Sequence, residues 1–128
     1  MKREDDYIKY PKASGYRGYH AVFLFHSDKN EVYNKNMRIE VQFRTTLQHT
    51  WATAVEVMGI YTKTALKASM GDIDTLRFFV LASSVFAQIE KSPIVPGTSE
   101  DYSSLIKEIR DIDRHQNIVS RLSALSTA

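Results

Sequence analysis

The sequence contains no cysteine. That excludes a disulfide framework and a thiolate zinc site, and it suits a reducing compartment. Three prolines and five glycines are too few for a collagen-like or low-complexity chain. No stretch approaches the ~18 apolar residues of a membrane span, and the opening MKREDDYIKYPK lacks the apolar centre of a signal peptide. The expectation is a cytoplasmic protein with no membrane partner. Charge of one sign is also lacking. Seventeen basic against 15 acidic residues leave a net charge of +2, too little to demand nucleic acid on bulk electrostatics. The glycines at 15, 18, 59, 71 and 97 build neither GxxxxGKS nor GxGxxG, and HExxH and GxSxG are absent. His20, His26, His49 and His115 have no zinc-ligand spacing.

What is present is an ordinary globular composition, 43% hydrophobic and 25% charged, in 128 residues. That length predicts a single domain over 1–128. The small positive excess is localised: residues 1–20 carry Lys2, Arg3, Lys9, Lys12 and Arg17 against Glu4, Asp5 and Asp6, and the rest of the chain is balanced. With Pro11, Gly15 and Gly18 this opening reads as a loop. It is also aromatic, holding Tyr7, Tyr10, Tyr16 and Tyr19 of the seven tyrosines.

Ala21–Phe25 is β-prone and reads as a largely buried strand. Residues 26–36 read as a polar hairpin connection, with Glu31–Tyr33 able to extend a strand. Residues 37–44 alternate without error: Met37, Ile39, Val41 and Phe43 go one way, and Arg38, Glu40, Gln42 and Arg44 go the other. On periodicity alone that polar row is a solvated outer sheet face. From Thr46 the period becomes helical, with Leu47, Trp51, Ala54 or Val55, and Met58 as the stripe, Gln48, His49, Ala52 and Glu56 on other sides, and Gly59 as a weak point. His49 and Glu56 share a helix face, a spacing that suits a structural contact. A further helix starts at Asp72 or Asp74 and reaches about Lys91, with apolar residues on two flanks. Pro93, Pro96 and Gly97 break the chain. A last long helix over 98–126 carries Tyr102, Leu105, Ile109, Ile112, Gln116, Val119 and Leu122 as a seam. The chain thus divides into a loop and strands (1–45), packing helices (46–91) and a C-terminal helix (98–126).

Two segments permit chemistry. KYPKASGYRGYH offers lysines for phosphates, glycines for close backbone approach, and Tyr16 as a flat surface for a base. Base stacking on an aromatic is worth about 1–3 kcal/mol in single-strand recognition. MRIEVQFR adds Glu40 as a magnesium ligand or proton acceptor and Arg44 for phosphate charge.

Taken together, DYIKYPKASGYRGYH, then IEVQFRT, then LQHTWATAVE resemble the synthetase domain of the RelA/SpoT alarmone synthetases, in detail from Asp6 to Glu56 and more loosely to PIVPGT. The resemblance implies an α/β (α+β) nucleotidyltransferase-like fold, a mixed sheet with packed helices. It implies Mg²⁺-dependent transfer of pyrophosphate from ATP to the ribose 3′-hydroxyl of GDP or GTP. By the family pattern Tyr16 stacks on guanine, Lys12 and His20 contact the acceptor nucleotide, Glu40 binds Mg²⁺ or helps activate the hydroxyl, and Gln42 and Arg44 complete the row. Ser14 stands where the family usually has Asn, and Arg17 and Gly18 where it has a Gln-Ser pair, so Ser14 and Arg17 join the acceptor-contact candidates. That variant loop occurs in several subgroups, including toxin-type members that pyrophosphorylate the 3′ end of tRNA. The family also carries, upstream of this loop, basic helices that grip ATP and an Asp-bearing strand. The expectation is therefore an acceptor-binding portion inactive by itself. A partner-binding module that associates through its helices, and a tRNA-directed toxin, are the alternatives.

Overall fold

The computed structural model describes residues 3–24, 37–62 and 72–127. Its elements are β1 (Arg3–Asp6), β2 (Tyr19–Leu24), β3 (Arg38–Phe43), α1 (Thr46–Thr62), α2 (Ile73–Ile89), α3 (Tyr102–Gln116) and α4 (Ile118–Thr127). The fold is the expected α+β class: an antiparallel sheet in the order β1-β2-β3 beside four helices. The hairpin connection over 26–36, including Glu31–Tyr33, lies outside the described residues.

β1 is a strand where the opening reads as loop. Its residues REDD have little strand propensity. They become a strand because β2 supplies a ladder, with Glu4 opposite Ala21 and Asp5 opposite His20, and charged side chains suit an edge position. The second ladder places His20 opposite Gln42 and Val22 opposite Glu40. Opposed residues share a face. One face therefore carries Asp5, His20 and Gln42 in one row and Arg3, Val22 and Glu40 in the next. The opposite face carries Tyr19, Phe23, Ile39 and Phe43. β3 alternates as its sequence demands, yet that apolar face is open: Ile39 is 44% and Phe43 55% exposed. On β2, Ala21 and Val22 are buried, while Phe23 and Leu24 are exposed.

α1 opens with a reciprocal cap. Thr45 N–H donates to Gln48 Oε1 at 2.9 Å, and Gln48 N–H donates to Thr45 Oγ1 at 3.1 Å, the Thr-x-x-Gln capping box. This buries Gln48, and Ala52 follows it inward, so the buried stripe is wider than Leu47, Trp51, Val55 and Met58 alone. Gly59 does not end the helix. Asp72 caps α2, accepting from Thr75 N–H at 3.1 Å.

α2 is buried along two flanks, as its sequence anticipates, and lies between α1 and α3. Trp51, Ala52, Val55, Met58, Phe78, Phe79 and Ile118 form the main core; Leu81, Val85 and Leu105 form a second one. Met58 is fully buried, a site where truncation to Ala costs about 2–5 kcal/mol. The single helix expected over 98–126 is broken: Asn117 adopts φ 53°, in the left-handed region, which Asn tolerates better than most residues. The break shifts the apolar phase by one residue. Ile118 enters the core and Val119 is 52% exposed. No helix among the described residues is long and apolar enough to cross a membrane.

Candidate functional site

The loop joining β1 to β2 is held along its whole length. Asp6 Oδ1 accepts from the backbone N–H groups of Ile8 and Lys9 at 3.1 and 2.9 Å, the side-chain turn that Asp favours. Tyr7 N–H donates to Gly18 O at 2.8 Å, Lys12 N–H to Tyr16 O at 3.1 Å and Gly15 N–H to Lys12 O at 2.9 Å. Gly15 has φ +96°, and a Cβ there would stand 3.0 Å from both Ser83 Cβ and the Trp51 ring. Only glycine meets both the left-handed backbone and the close approach.

These constraints set Tyr16 against β2 and β3. Gln42 Nε2 donates to Tyr16 Oη at 2.8 Å, and Tyr16 Oη lies 2.8 Å from His20 Nε2. With Gln42 donating to one lone pair, the phenol either donates its proton to His20 Nε2 or accepts one from it, according to the imidazole tautomer. The Tyr16 ring, half-buried, makes edge contacts with Tyr7, His20 and Trp51. Lys12 Nζ stands 4.7 Å from the Tyr7 ring centre and 5.4 Å from that of Tyr16, within cation–π range. Burial pushes the Tyr16 phenol above its ordinary value; the Arg44 charge opposes this and Tyr7 adds to it. Arg44, exposed just beyond β3, is thus electrostatically in touch with the loop. Ser14 Oγ accepts from Tyr16 N–H at 3.4 Å, so its direct role is to shape the turn.

Lys12, Tyr16, His20 and Gln42 therefore gather at one point, with Ser14 in the turn that precedes Tyr16 and Arg44 near enough for its charge to act on the phenol. Arg17 does not join them: it is 4% exposed. Its Nε donates to Ser83 Oγ at 3.0 Å, one terminal nitrogen to Ile8 O at 3.1 Å, and the other to Pro93 O. Burial lowers its pKa to about 10, against the opposing pull of Glu90. Arg17 is an interior fastening for the loop, where sequence reasoning assigns it to the acceptor.

Glu40 shares the polar face with Gln42 and lines a shallow groove of about 200 Å³ with Arg3, Val22 and Arg38. Asp5, the other carboxylate on this face, stands two strands away and one row along, roughly 12 Å at the usual strand spacing and rise, and pairs with Arg3 at 3.5 Å. Among the described residues no group of three metal-ligating side chains exists. Glu40 therefore fits a magnesium ion only in the manner of one carboxylate completed by substrate phosphates and water.

Sequence reasoning misses the supports of the site. Ser83, Glu90 and Tyr7 carry no local pattern that marks them, whereas the Thr45–Gln48 cap was readable as a motif.

A comparison with curated proteins finds no match. A family model described as "Region found in RelA / SpoT proteins" matches residues 1–66, a span that holds the loop, the three strands, α1 and every candidate residue named above. On that match, and on the loop-and-strand geometry that falls within it, the chain belongs to the RelA/SpoT family.

Proposed function

We propose that the loop and β3 bind the guanine nucleotide that accepts pyrophosphate in (p)ppGpp synthesis. The observation that carries this reading is the Gln42–Tyr16–His20 hydrogen-bonded set with Lys12 above it. It joins a rigid aromatic surface for a base to cations for phosphate, and it does so inside the segment that matches the family. Tyr16 presents its ring to guanine, Lys12 and Arg44 neutralise phosphate, and His20 and Gln42 hold the phenol in place.

In the transfer, the acceptor 3′-oxygen forms a bond to the β-phosphorus of ATP while the bond from that phosphorus to the oxygen retained by AMP breaks. The hydroxyl proton leaves to a base, the role given to Glu40. Such a displacement depends on positioning and charge neutralisation more than on covalent catalysis. In the alternative role Glu40, with substrate phosphates, would hold magnesium, which would supply charge neutralisation at the transferred group while the proton leaves to water. The residues of this chain orient the acceptor, hold its phosphates and take its proton.

Calorimetry with GDP, GTP and ATP tests the reading. Binding of the guanine nucleotides is expected, with Tyr16→Ala abolishing it. Equal binding of all three, or none, overturns it, and salt-sensitive binding of tRNA without mononucleotide binding would favour the RNA-directed alternative.

A further inference from the structure

Arg17 raises a question that the acceptor reading leaves open. A buried guanidinium is costly, and a well-packed apolar side chain of similar volume often stabilises a fold as well or better. A charge kept at such a place calls for an account of what its hydrogen bonds hold.

They hold both sides of Tyr16. Ser83 Oγ accepts from Arg17 Nε at 3.0 Å and donates to Gly15 O at 2.6 Å. The residue before the tyrosine and the residue after it are thus fastened to the same hydroxyl on α2. The guanidinium also reaches Ile8 O at the start of the loop and Pro93 O beyond the end of α2, so it ties three separate segments together. Two turns along α2 from Ser83 stands Glu90, whose charge acts on Arg17. Glu90 Oε1 accepts from Thr45 Oγ1 at 2.8 Å. Thr45 caps α1 through Gln48 and adjoins Arg44. The loop that carries Tyr16 and the strand end that carries Arg44 are therefore both anchored on the last two turns of α2 and its C-cap, from Ser83 to Glu90.

We propose that Arg17 is a positioning residue: together with Ser83 and Glu90 it sets where Tyr16 stands relative to the end of β3, and so presets the site before a nucleotide arrives. This rests on the acceptor reading for its purpose, though not for its geometry. Arg17 touches no substrate; it acts through the Gly15–Tyr16 peptide. Preorganisation of this kind is worth affinity because the ordering cost is met during folding.

The test uses two readouts. Without ligand, the ¹⁵N shifts of the His20 ring report whether Tyr16 Oη still holds Nε2. Wild type should show a single hydrogen-bonded tautomer. Arg17→Gln and Ser83→Ala should move toward a mixture, while Arg77→Gln, which removes only the Arg77–Glu108 pair and a hydrogen bond to Gly97 O, should not. With GDP, Arg17→Gln should weaken binding at least about tenfold, the scale of one lost well-oriented contact, without changing the far-ultraviolet spectrum. Wild-type His20 signals in both folded Arg17→Gln and Ser83→Ala overturn the proposal. If Arg17→Gln does not fold, Ser83→Ala, which deletes one hydroxyl, decides alone. Should wild type fail to bind GDP, the acceptor reading falls, and the His20 signals still judge the positioning role.

Discussion

The β1–β2 loop and the strand β3 meet at one hydrogen bond, from Gln42 Nε2 to Tyr16 Oη, but they are held in opposite ways. The loop is irregular backbone fixed from inside: Gly15 and Arg17 are buried, and Trp51, Ser83 and Pro93 close around them. β3 is regular backbone fixed almost entirely by its ladder to β2. Of its six residues only Val41 is even partly buried. Regularity and rigidity are thus decoupled here. A loop becomes a precise platform when its backbone groups are tied to an interior, and a strand remains open on both faces when none of the described elements covers it. The same contrast separates the roles proposed above: a preset surface for the base in the loop, and an accessible carboxylate and cations on the strand.

The sharpest way to break the contrast is Gly15→Ala. A side chain at φ +96° that also meets Ser83 and Trp51 at 3.0 Å should cost about 2–4 kcal/mol from backbone strain and overpacking. Urea unfolding measures it, and a loss below about 1 kcal/mol would show that the loop yields.

A smaller effect is expected of Tyr16→Phe at neutral pH, about 0.5–1.5 kcal/mol for the lost hydroxyl contacts. Its dependence on pH is the more telling part. The folded phenol titrates above the ordinary 10.0, so in the alkaline range the unfolded chain releases this proton first. The stabilisation is complete below pH 10 and is lost as pH rises through the folded value. The gap between wild type and Tyr16→Phe should accordingly narrow above pH 10. A constant gap through that range would mean that the phenol is not held as described.

Least of all should follow from Ile39→Thr on the open face of β3, where the change should stay within about 0.5 kcal/mol in thermal unfolding. A loss as large as that of Gly15→Ala would mean that β3 is covered in solution and would erase the distinction.

Much of this protein was legible locally. Strict alternation announced β3, because a period of two admits no other regular structure. Asp72 or Asp74 announced the start of α2, and the change to a helical period at Thr46 announced α1. The run of residues from Asp6 to Glu56 carried the family itself. All of these are contacts or periodicities spanning a few residues.

Other features depended on contacts between residues distant in sequence. REDD became a strand because β2 lay beside it. The seam over 98–126 was cut at Asn117 because Ile118 finds a place in the core. Arg17, next to Gly18 in a basic, glycine-bearing loop, looks like a ligand for phosphate; only the arrival of Ser83 and Pro93, more than sixty positions later in the chain, turned it inward. Local sequence determined which elements form and which motif they bear. Tertiary structure decided which charge faces solvent and which is spent holding the loop, because burial is a property of what packs against a residue and cannot be read from its neighbours in the chain.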